Sequence, residues 1–118
     1  MILIVDDEAD LARTCERLLR RGGHDVATAT SCAAALTALA AGSSCLLVCD
    51  VRLPDGDGLD VVRAAQRLDP PVPAIVMTGQ PSEAGRLAAF ASGAAAYLSK
   101  PFSAAAFAAL VDRTLARR

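Results

Sequence analysis

Aromatic residues and an excess of positive charge are both missing from this sequence. Its 118 residues include no Trp, one Tyr and three Phe, and 12 Lys and Arg are balanced by 13 Asp and Glu, for a formal net charge of −1. A protein that holds a phosphate backbone needs a basic surface, and one that binds single strands also needs rings on which bases stack. We therefore expect no direct nucleic-acid binding.

Histidine is nearly absent, and the cysteines do not form two closely spaced pairs. The sequence has one His and four Cys, at Cys15, Cys32, Cys45 and Cys49. Structural zinc sites need closely spaced Cys and His ligands, which this chain cannot complete. We expect these cysteines to be small, buried hydrophobic side chains.

A secretory signal and a membrane span are also missing. Asp6, Asp7 and Glu8 interrupt the apolar start of the chain almost at once. The longest uncharged stretch, residues 26–49, consists largely of Ala, Ser and Thr and is broken by Gly42 and the two serines after it. We expect a cytoplasmic protein without a membrane partner.

Five short apolar runs are present and predict strands, at residues 2–5, 26–29, 45–49, 74–77 and 95–98. The first, third and fourth are continuous rather than alternating, as in strands that helices cover on both faces. Segments of helical character follow each run: around Leu11 to Gly22, over 33–41, around Leu59 to Leu68, over 83–91, and after Ser103 as N-cap.

This alternation predicts an α/β fold that forms a single domain over residues 1–118. We expect a three-layer, doubly wound sandwich with a five-stranded parallel sheet in the flavodoxin-like order 2-1-3-4-5 and five helices.

Polar residues follow four of the five predicted strands. In an open α/β sheet, ligands bind at the carboxyl ends of the strands, so these residues should share one rim. They are Asp6, Asp7 and Glu8 after the first run, Asp50 after the third, Thr78 and Gly79 after the fourth, and Ser99, Lys100 and Pro101 after the fifth.

Neighbouring carboxylates repel unless a cation separates them, and hard oxygen ligands suit Mg²⁺. The alternative for the first three acids is that they only cap the first helix and complement its dipole. Asp50 favours the metal, because an acid that directly ends a buried strand is costly unless it is paired or metal-bound.

Lys100 is the one lysine among the 12 basic residues. A compact ammonium can approach a phosphoryl oxygen or a carboxylate as a point charge, which the planar guanidinium of Arg cannot imitate. Thr78 could donate to an anion or satisfy a turn. Pro101 could begin a helix or follow a cis bond, and the sequence leaves both alternatives open.

Four motifs in this order resemble the receiver domain of bacterial two-component response regulators, over essentially the whole chain. They are the segments Ile-Val-Asp-Asp-Glu at 4–8, Cys-Asp-Val-Arg-Leu-Pro at 49–54 with Gly58, Met-Thr-Gly at 77–79, and Tyr-Leu-Ser-Lys-Pro-Phe at 97–102. Each motif alone is weak, but four at these spacings are specific.

The resemblance implies a role for each matching residue. Asp50 would accept a phosphoryl group from a sensor histidine kinase, and Lys100 would contact that group. Mg²⁺ would be held by Asp7, Asp50 and the backbone carbonyl of Arg52, with Asp6 acting mostly through a bound water. Thr78 and Tyr97 would be the switch residues.

The resemblance also implies a signalling switch rather than an enzyme with an external substrate, since the domain would catalyse only its own phosphotransfer and autodephosphorylation. The surface that changes would comprise the fourth helix, the fifth strand and the fifth helix. Four charged residues would lie on this surface, either as salt-bridging contacts or as solvated charges: Glu83, Arg86, Asp112 and Arg113. An output domain, a target protein and a phosphorylation-dependent homodimer remain open as partners.

Five further residues near the motifs are interpreted either as neighbours of the site or as turn residues. The resemblance implies that Arg52 and Gln80 flank the site, at positions that tune the lifetime of the phosphoaspartate in this family. Arg52 could shield the attacked phosphorus. We interpret Asp55 and Asp57 as turn acids in a loop rich in Gly and Pro, and His24 as a turn residue.

Two other functions remain open. One is a Mg²⁺-dependent phosphohydrolase with an aspartyl-phosphate intermediate, in which Asp6 would be the nucleophile and Glu8 the second acid. The other is an interaction module that keeps the fold and is never phosphorylated.

Overall fold

A five-stranded parallel sheet forms the centre of the protein in this computed structural model, which describes residues 1–117. The elements along the chain are β1 (Ile2–Val5), α1 (Ala9–Arg21), β2 (Val26–Ala29), α2 (Cys32–Ala40), β3 (Leu46–Asp50), β4 (Arg52–Leu53), β5 (Gly56–Asp57), α3 (Gly58–Gln66), β6 (Ala74–Thr78), α4 (Glu83–Ala91), β7 (Ala96–Ser99) and α5 (Ala104–Ala116).

The main sheet has the order β2-β1-β3-β6-β7, and every neighbouring pair in it is parallel. The strands β4 and β5 pair only with each other, as a short antiparallel ribbon outside that sheet. Counted along the main sheet, β6 and β7 are the fourth and fifth strands. The expected order 2-1-3-4-5 is therefore confirmed, as are the five helices.

Alternate residues of each strand enter two separate hydrophobic layers, because side chains of a strand point to opposite faces in turn. Ile2, Ile4 and Met77 pack in a layer that α1 and α5 cover, with Phe107 fully buried at its centre. Leu3, Val5, Leu47 and Val76 pack on the opposite face beneath α2, α3 and the single buried residue of α4, Ala89. The predicted three-layer sandwich is thus present.

Four helices begin with a side-chain cap. Ser31, Ser82 and Ser103 each accept a hydrogen bond from the amide three residues later, and Asp57 accepts one from Leu59 N–H. The cap predicted at Ser103 is confirmed. Asp57 was expected to be a turn acid, but it is the last residue of β5 and caps α3.

Two sequence expectations need correction. Only Cys15 and Cys49 are buried, whereas Cys32 at the start of α2 and Cys45 just before β3 are partly exposed; all four are free thiols. Leu68 does not lie on α3, because that helix ends at Gln66 and the chain turns before two consecutive prolines. Leu68 still packs against the core from the loop.

Within residues 1–117, no helix has the length and apolar character needed to cross a bilayer. The strand bounds differ from the expected ones by one residue at β3, β6 and β7, so Asp50 and Thr78 are the last residues of β3 and β6.

Candidate functional site

The carboxyl ends of four parallel strands open into a cavity of about 310 Å³. β1 leads into the acidic segment after Val5, β3 ends in Asp50, β6 ends in Thr78, and Lys100 follows β7. The residues that line the cavity are Asp7, Glu8, Asp50, Arg52, Thr78, Gly79, Gln80 and Lys100. The cavity therefore joins residues from all four predicted strand ends, whereas Asp6, Ser99 and Pro101 of the predicted rim are not among its lining residues.

Three carboxylates of this site are close enough to share a cation. Asp6, Asp7 and Asp50 each offer one oxygen, and these oxygens lie within 4.8 Å of one another. Asp6 is fully buried, Asp50 is 7% exposed, and Asp7 is exposed. Oxygen ligands of this charge fit a hard divalent cation. The acidic cluster can thus bind a metal ion.

Lys100 joins three of the acidic residues. Its Nζ donates to Asp6 Oδ2 at 2.8 Å, to Asp50 Oδ2 at 3.0 Å and to Glu8 Oε1 at 3.3 Å. The lysine side chain is only 11% exposed, so water screens these pairs less than it would at the surface. Glu8 as a partner of Lys100 was not foreseen from the sequence.

Burial and the neighbouring charges together shift the pKa values of Asp50 and Lys100. Burial raises the pKa of Asp50 and Asp6 adds to the rise, although hydrogen bonding to Lys100 opposes it. For Lys100, burial alone would lower the pKa, but the hydrogen bonds to Asp6 and Asp50 outweigh it and raise that pKa. Both pKa values are therefore higher than those of the free side chains.

The simpler interpretation of the first acids, as caps of the first helix, is not supported. Glu8 occupies the N-cap position of α1, yet its side chain accepts no capping hydrogen bond. Asp6 Oδ1 accepts from the Glu8 amide at 2.9 Å, ahead of the helix, while its other oxygen binds Lys100. These acids face the site rather than the free amides of the helix.

The loop after Asp50 is held close to the sheet by backbone contacts. Val51 N–H donates to Met77 O, and Gly58 N–H donates to Val51 O at 2.7 Å. Gly58 is required here, because a Cβ at that position would overlap the carbonyl oxygen of Asp50. The start of α3 thus packs directly against the backbone of Asp50.

Thr78 and Lys100 are neighbours at the end of the sheet. Thr78 pairs with Ser99 in the β6–β7 register, and Lys100 N–H donates to Thr78 O at 2.7 Å. The Thr78 hydroxyl accepts from Gln80 N–H at 3.1 Å, so both of the roles considered for it, a turn and a cavity group, are compatible with its position. The Lys100–Pro101 bond is cis.

Arg52 and Gln80 meet across the cavity. Arg52 Nη2 donates to Gln80 Oε1 at 2.6 Å. Both side chains line the cavity and both residues are exposed. Their bridge is therefore an exposed part of the cavity lining.

Tyr97 lies outside the residues that line the cavity. It is half-buried on β7, and its hydroxyl accepts from Ser82 N–H at 3.4 Å, at the start of α4. Four charged residues were predicted on the surface formed by the fourth helix, fifth strand and fifth helix. Two of them, Glu83 and Arg86, form a salt bridge with each other along α4. Asp112 lies 3.8 Å from Nε2 of His24, which follows the turn at the end of α1.

Asp55 has a role that sequence reasoning missed. Its two carboxylate oxygens accept from Cys32 N–H at 2.7 Å and from Ala33 N–H at 3.0 Å, so it caps α2 from another loop. Those backbone hydrogen bonds lower the pKa of Asp55. Since the helix start lies more than twenty positions away in sequence, no local capping signal could have revealed it.

The response regulator receiver domain family matches residues 2–112 of the chain. Transcriptional regulatory protein PrrA of Mycobacterium bovis is 38% identical over 117 residues, which are 99% of this chain and 50% of PrrA. The chain therefore spans about half the length of this relative.

Solved structures agree with that match. A CheY-like receiver domain protein from Methanospirillum hungatei superposes with a TM-score of 0.93 at 27% identity, covering 98% of this chain and 93% of that one. A response regulator from Burkholderia pseudomallei, solved with a phosphorylated aspartic acid, calcium ion and citrate, gives 0.87 at 28% identity, covering 98% of this chain and 68% of that one. With its sheet order, its acidic rim and these matches, the chain belongs to the receiver domain family of two-component response regulators, the phosphorylation-based switches of signal transduction.

Proposed function

We propose that Asp50 is the phosphoacceptor of this receiver domain and that its donor is the phosphohistidine of a sensor histidine kinase. One observation carries the proposal: Asp50 lines the cavity while its Oδ2 lies 3.0 Å from Lys100 Nζ. Among the acids of the rim, it is the one that ends a buried central strand. We further propose that residues 1–118 form a single domain.

The transfer is balanced without any additional reactant. An oxygen of the Asp50 carboxylate forms a bond to phosphorus as the N–P bond of the phosphohistidine breaks, and the electron pair leaves with the imidazole nitrogen. Hydrolysis by water later releases phosphate and restores the Asp50 carboxylate. The domain thus changes only its own state and turns over no external metabolite.

The acidic cluster supports Mg²⁺ as the cation. Asp7, Asp50 and the carbonyl of Arg52 would hold it, with Asp6 contributing through a water. When bound, the ion neutralises carboxylate charge and stabilises the charge on the phosphoryl oxygens. The pKa of Asp50 is raised chiefly by burial and further by Asp6, and a bound cation would favour the ionised carboxylate against both effects. The related Burkholderia protein, with its phosphorylated aspartic acid and calcium ion, supports the same chemistry.

Lys100 and Thr78 would act on the phosphoryl group from the protein side. Lys100 is already hydrogen-bonded to Asp50 and can follow the new negative charge as a point charge. Thr78, at the end of β6, offers a hydroxyl that can leave its contact with Gln80 N–H and donate to a phosphoryl oxygen. These two residues would transmit the modification to the ends of β6 and β7.

Tyr97 and the surface of α4, β7 and α5 would carry the change outward. Leu87 and Phe90 of α4 are exposed large hydrophobic residues, as at a surface that meets another protein. The receiver would thereby control an output domain, a target protein or a homodimer. The chain's formal charge of −1 supports the expectation that this part of the protein does not itself bind nucleic acid. The receiver would work in the cytoplasm.

The phosphohydrolase alternative is less well supported. It would require Asp6 as nucleophile, but Asp6 is fully buried, is absent from the cavity lining as the structure describes it, and has both oxygens hydrogen-bonded. The unphosphorylated module lacks a supporting observation, since no residue type of the site is missing.

The test is intact-mass measurement after incubation with acetyl phosphate, with and without Mg²⁺. Wild type should gain one phosphoryl group only with Mg²⁺, and the isosteric Asp50→Asn and the shorter Asp50→Ala should gain none. Asp60→Asn, an exposed acid on α3, is the matched control and should be modified like wild type. A folded, Mg²⁺-binding wild type without an adduct would indicate the interaction module. Steady phosphate release without an adduct would indicate the hydrolase.

A further inference from the structure

The hydroxyl of Tyr97 lies against a position of α4 that has no side chain. Tyr97 Oη accepts a hydrogen bond from Ser82 N–H at 3.4 Å, and Ser82 Oγ accepts from Gly85 N–H at 2.9 Å. A Cβ on Gly85 would lie 3.1 Å from Tyr97 Oη and 3.0 Å from Ser82 Oγ. Both distances are shorter than the contact of roughly 3.5 Å at which non-bonded atoms attract best.

Glycine is an unfavourable residue for the interior of a helix, and Gly85 lies inside α4. The helix α4 reads Glu-Ala-Gly-Arg-Leu-Ala-Ala-Phe-Ala, so four of its nine residues are Ala and one is Gly. Ala is the best helix former and Gly among the worst, because Gly loses the most backbone freedom. The φ of Gly85 is not in the left-handed region, so the backbone itself does not require Gly here. We therefore look for another reason for Gly at this position, and the nearby hydroxyl of Tyr97 provides one.

The helix α4 is weakly attached to the rest of the domain. Ala89 is its only fully buried residue, and Leu87 and Phe90 are exposed. Few apolar contacts mean that such a helix can shift at low cost. The contact of Tyr97 with Ser82 is consequently a notable part of what holds the first turn of α4 against β7.

We propose that Gly85 is a positioning residue, whose missing side chain provides a slot that holds Tyr97 against α4 in the unphosphorylated protein. The proposal rests on the switch role proposed for Tyr97. A methyl group at Gly85 would crowd the slot, so that Tyr97 Oη and Ser82 Oγ must shift by a few tenths of an ångström and hold the first turn of α4 less firmly. In this proposal, the unphosphorylated protein exchanges between a form in which the slot holds Tyr97 and a form that accepts phosphate. Because Gly85→Ala destabilises the first form, it should raise the population of the second.

The chain offers a direct probe of this slot. Tyr97 is the single tyrosine and there is no Trp, so tyrosine fluorescence and its quenching by acrylamide report Tyr97 alone. Gly85→Ala raises helix propensity and should fold. In the absence of phosphodonor, its Tyr97 emission and quenching constant should differ from those of wild type and resemble those of phosphorylated wild type.

Phosphorylation kinetics supply the second measurement. Gly85→Ala should accept phosphate from acetyl phosphate faster than wild type, by about two- to tenfold, the factor that displacing a side chain from its preferred rotamer is worth. In a Tyr97→Phe background the hydroxyl that the methyl would meet is gone, so Gly85→Ala should then change the rate much less. Ala88→Gly, at an exposed position of the same helix, controls for a change in helix propensity alone.

The outcomes separate this inference from the proposed function. Unchanged Tyr97 fluorescence in Gly85→Ala would overturn the slot, and so would changed fluorescence with an unchanged phosphorylation rate. A rate increase that persists fully in Tyr97→Phe would also overturn it, because the effect would not pass through the hydroxyl. If wild type takes no phosphate, the proposed function fails, while the fluorescence comparison still decides the slot.

Discussion

The ammonium of Lys100 lies 3.0 Å from Oδ2 of Asp50, across fifty positions of sequence. The same ammonium is 2.8 Å from Asp6, which is fully buried. The lysine therefore compensates two acids that water cannot reach freely. Removal of the Lys100 ammonium is therefore expected to destabilise the protein, and by a larger amount when Mg²⁺ is absent.

Lys100→Met should lower the free energy of unfolding in Mg²⁺-free buffer by about 3 kcal/mol, because it leaves buried carboxylates without a partner. Saturating Mg²⁺ should restore part of this loss, since a cation bound to the folded state stabilises it. Urea unfolding followed by circular dichroism, with and without Mg²⁺, measures both effects.

Arg63→Met is the matched control for Lys100→Met. Arg63 pairs with Asp60 on the surface of α3, where both side chains are largely exposed. Loss of such a pair should change the free energy of unfolding by less than about 0.5 kcal/mol, whether or not Mg²⁺ is present. Equal losses in the two variants would contradict the ion-pair assignment.

Asp50→Asn should stabilise the Mg²⁺-free protein at neutral pH. The pKa of Asp50 is raised above 3.8 by burial and by Asp6, so between that value and the raised pKa the folded state binds more protons than the unfolded state. Stability accordingly falls as the pH rises through this window, and ionised Asp50 is a cost above it. The stability difference between variant and wild type should disappear below pH 3.8.

Asp60→Asn serves as the comparison for Asp50→Asn, because it removes the same charge at an exposed position. The free energies of unfolding are measured across the acidic and neutral range. If Asp50→Asn is less stable than wild type at neutral pH without Mg²⁺, ionised Asp50 is not a net cost to the folded state and the raised pKa is contradicted.

Asp55→Asn should destabilise the protein at neutral pH, since an amide oxygen cannot replace both carboxylate acceptors of Cys32 and Ala33 N–H. The backbone hydrogen bonds lower the pKa of Asp55 in the folded protein. Its contribution is therefore present above the ordinary carboxyl pKa of 3.8 and is lost as the pH falls through the lowered value.

Thermal unfolding of Asp55→Asn and of the control Asp10→Asn over this pH range tests the cap. Asp10 has a fully exposed side chain on α1 and should have little effect. Ser31→Ala, which removes the other cap of α2, should cost about 1 kcal/mol. A melting temperature of Asp55→Asn equal to that of wild type at neutral pH would show that the remote cap adds nothing.

These residues also show where sequence reasoning succeeds. The continuous apolar runs of β1, β3 and β6 predicted central strands, and the rule that parallel strands end at one edge placed Asp50, Thr78 and Lys100 together. The apolar runs and the polar residues that follow them are both local features of the sequence.

The unforeseen contacts depend on distances that the folded backbone sets. Asp55 reaches α2, Glu8 reaches Lys100, and the phenol of Tyr97 reaches Ser82, each across many residues. Neither periodicity nor capping patterns record such pairs. The partial exposure of Cys32 and Cys45 was missed for a related reason, because both lie at element ends rather than inside a buried face.

The bridge between Arg52 and Gln80 leads to the final prediction, on the lifetime of the phosphorylated form. The 2.6 Å contact joins two exposed side chains of the cavity lining, and water must enter this cavity to hydrolyse phosphoaspartate. Arg52→Ala should shorten the lifetime by about fivefold, equivalent to roughly 1 kcal/mol of barrier. The backbone carbonyl of Arg52 is retained in this variant, so metal binding should be preserved.

Gln80→Ala breaks the same bridge from its other end and should shorten the lifetime to a similar extent. Because both changes remove one interaction, the double variant should be no faster to hydrolyse than either single variant. Intact mass followed after removal of acetyl phosphate, at fixed Mg²⁺, gives the three lifetimes. An unchanged lifetime in Arg52→Ala would remove the shielding role, and additive effects would mean that each side chain acts on water separately rather than through their contact.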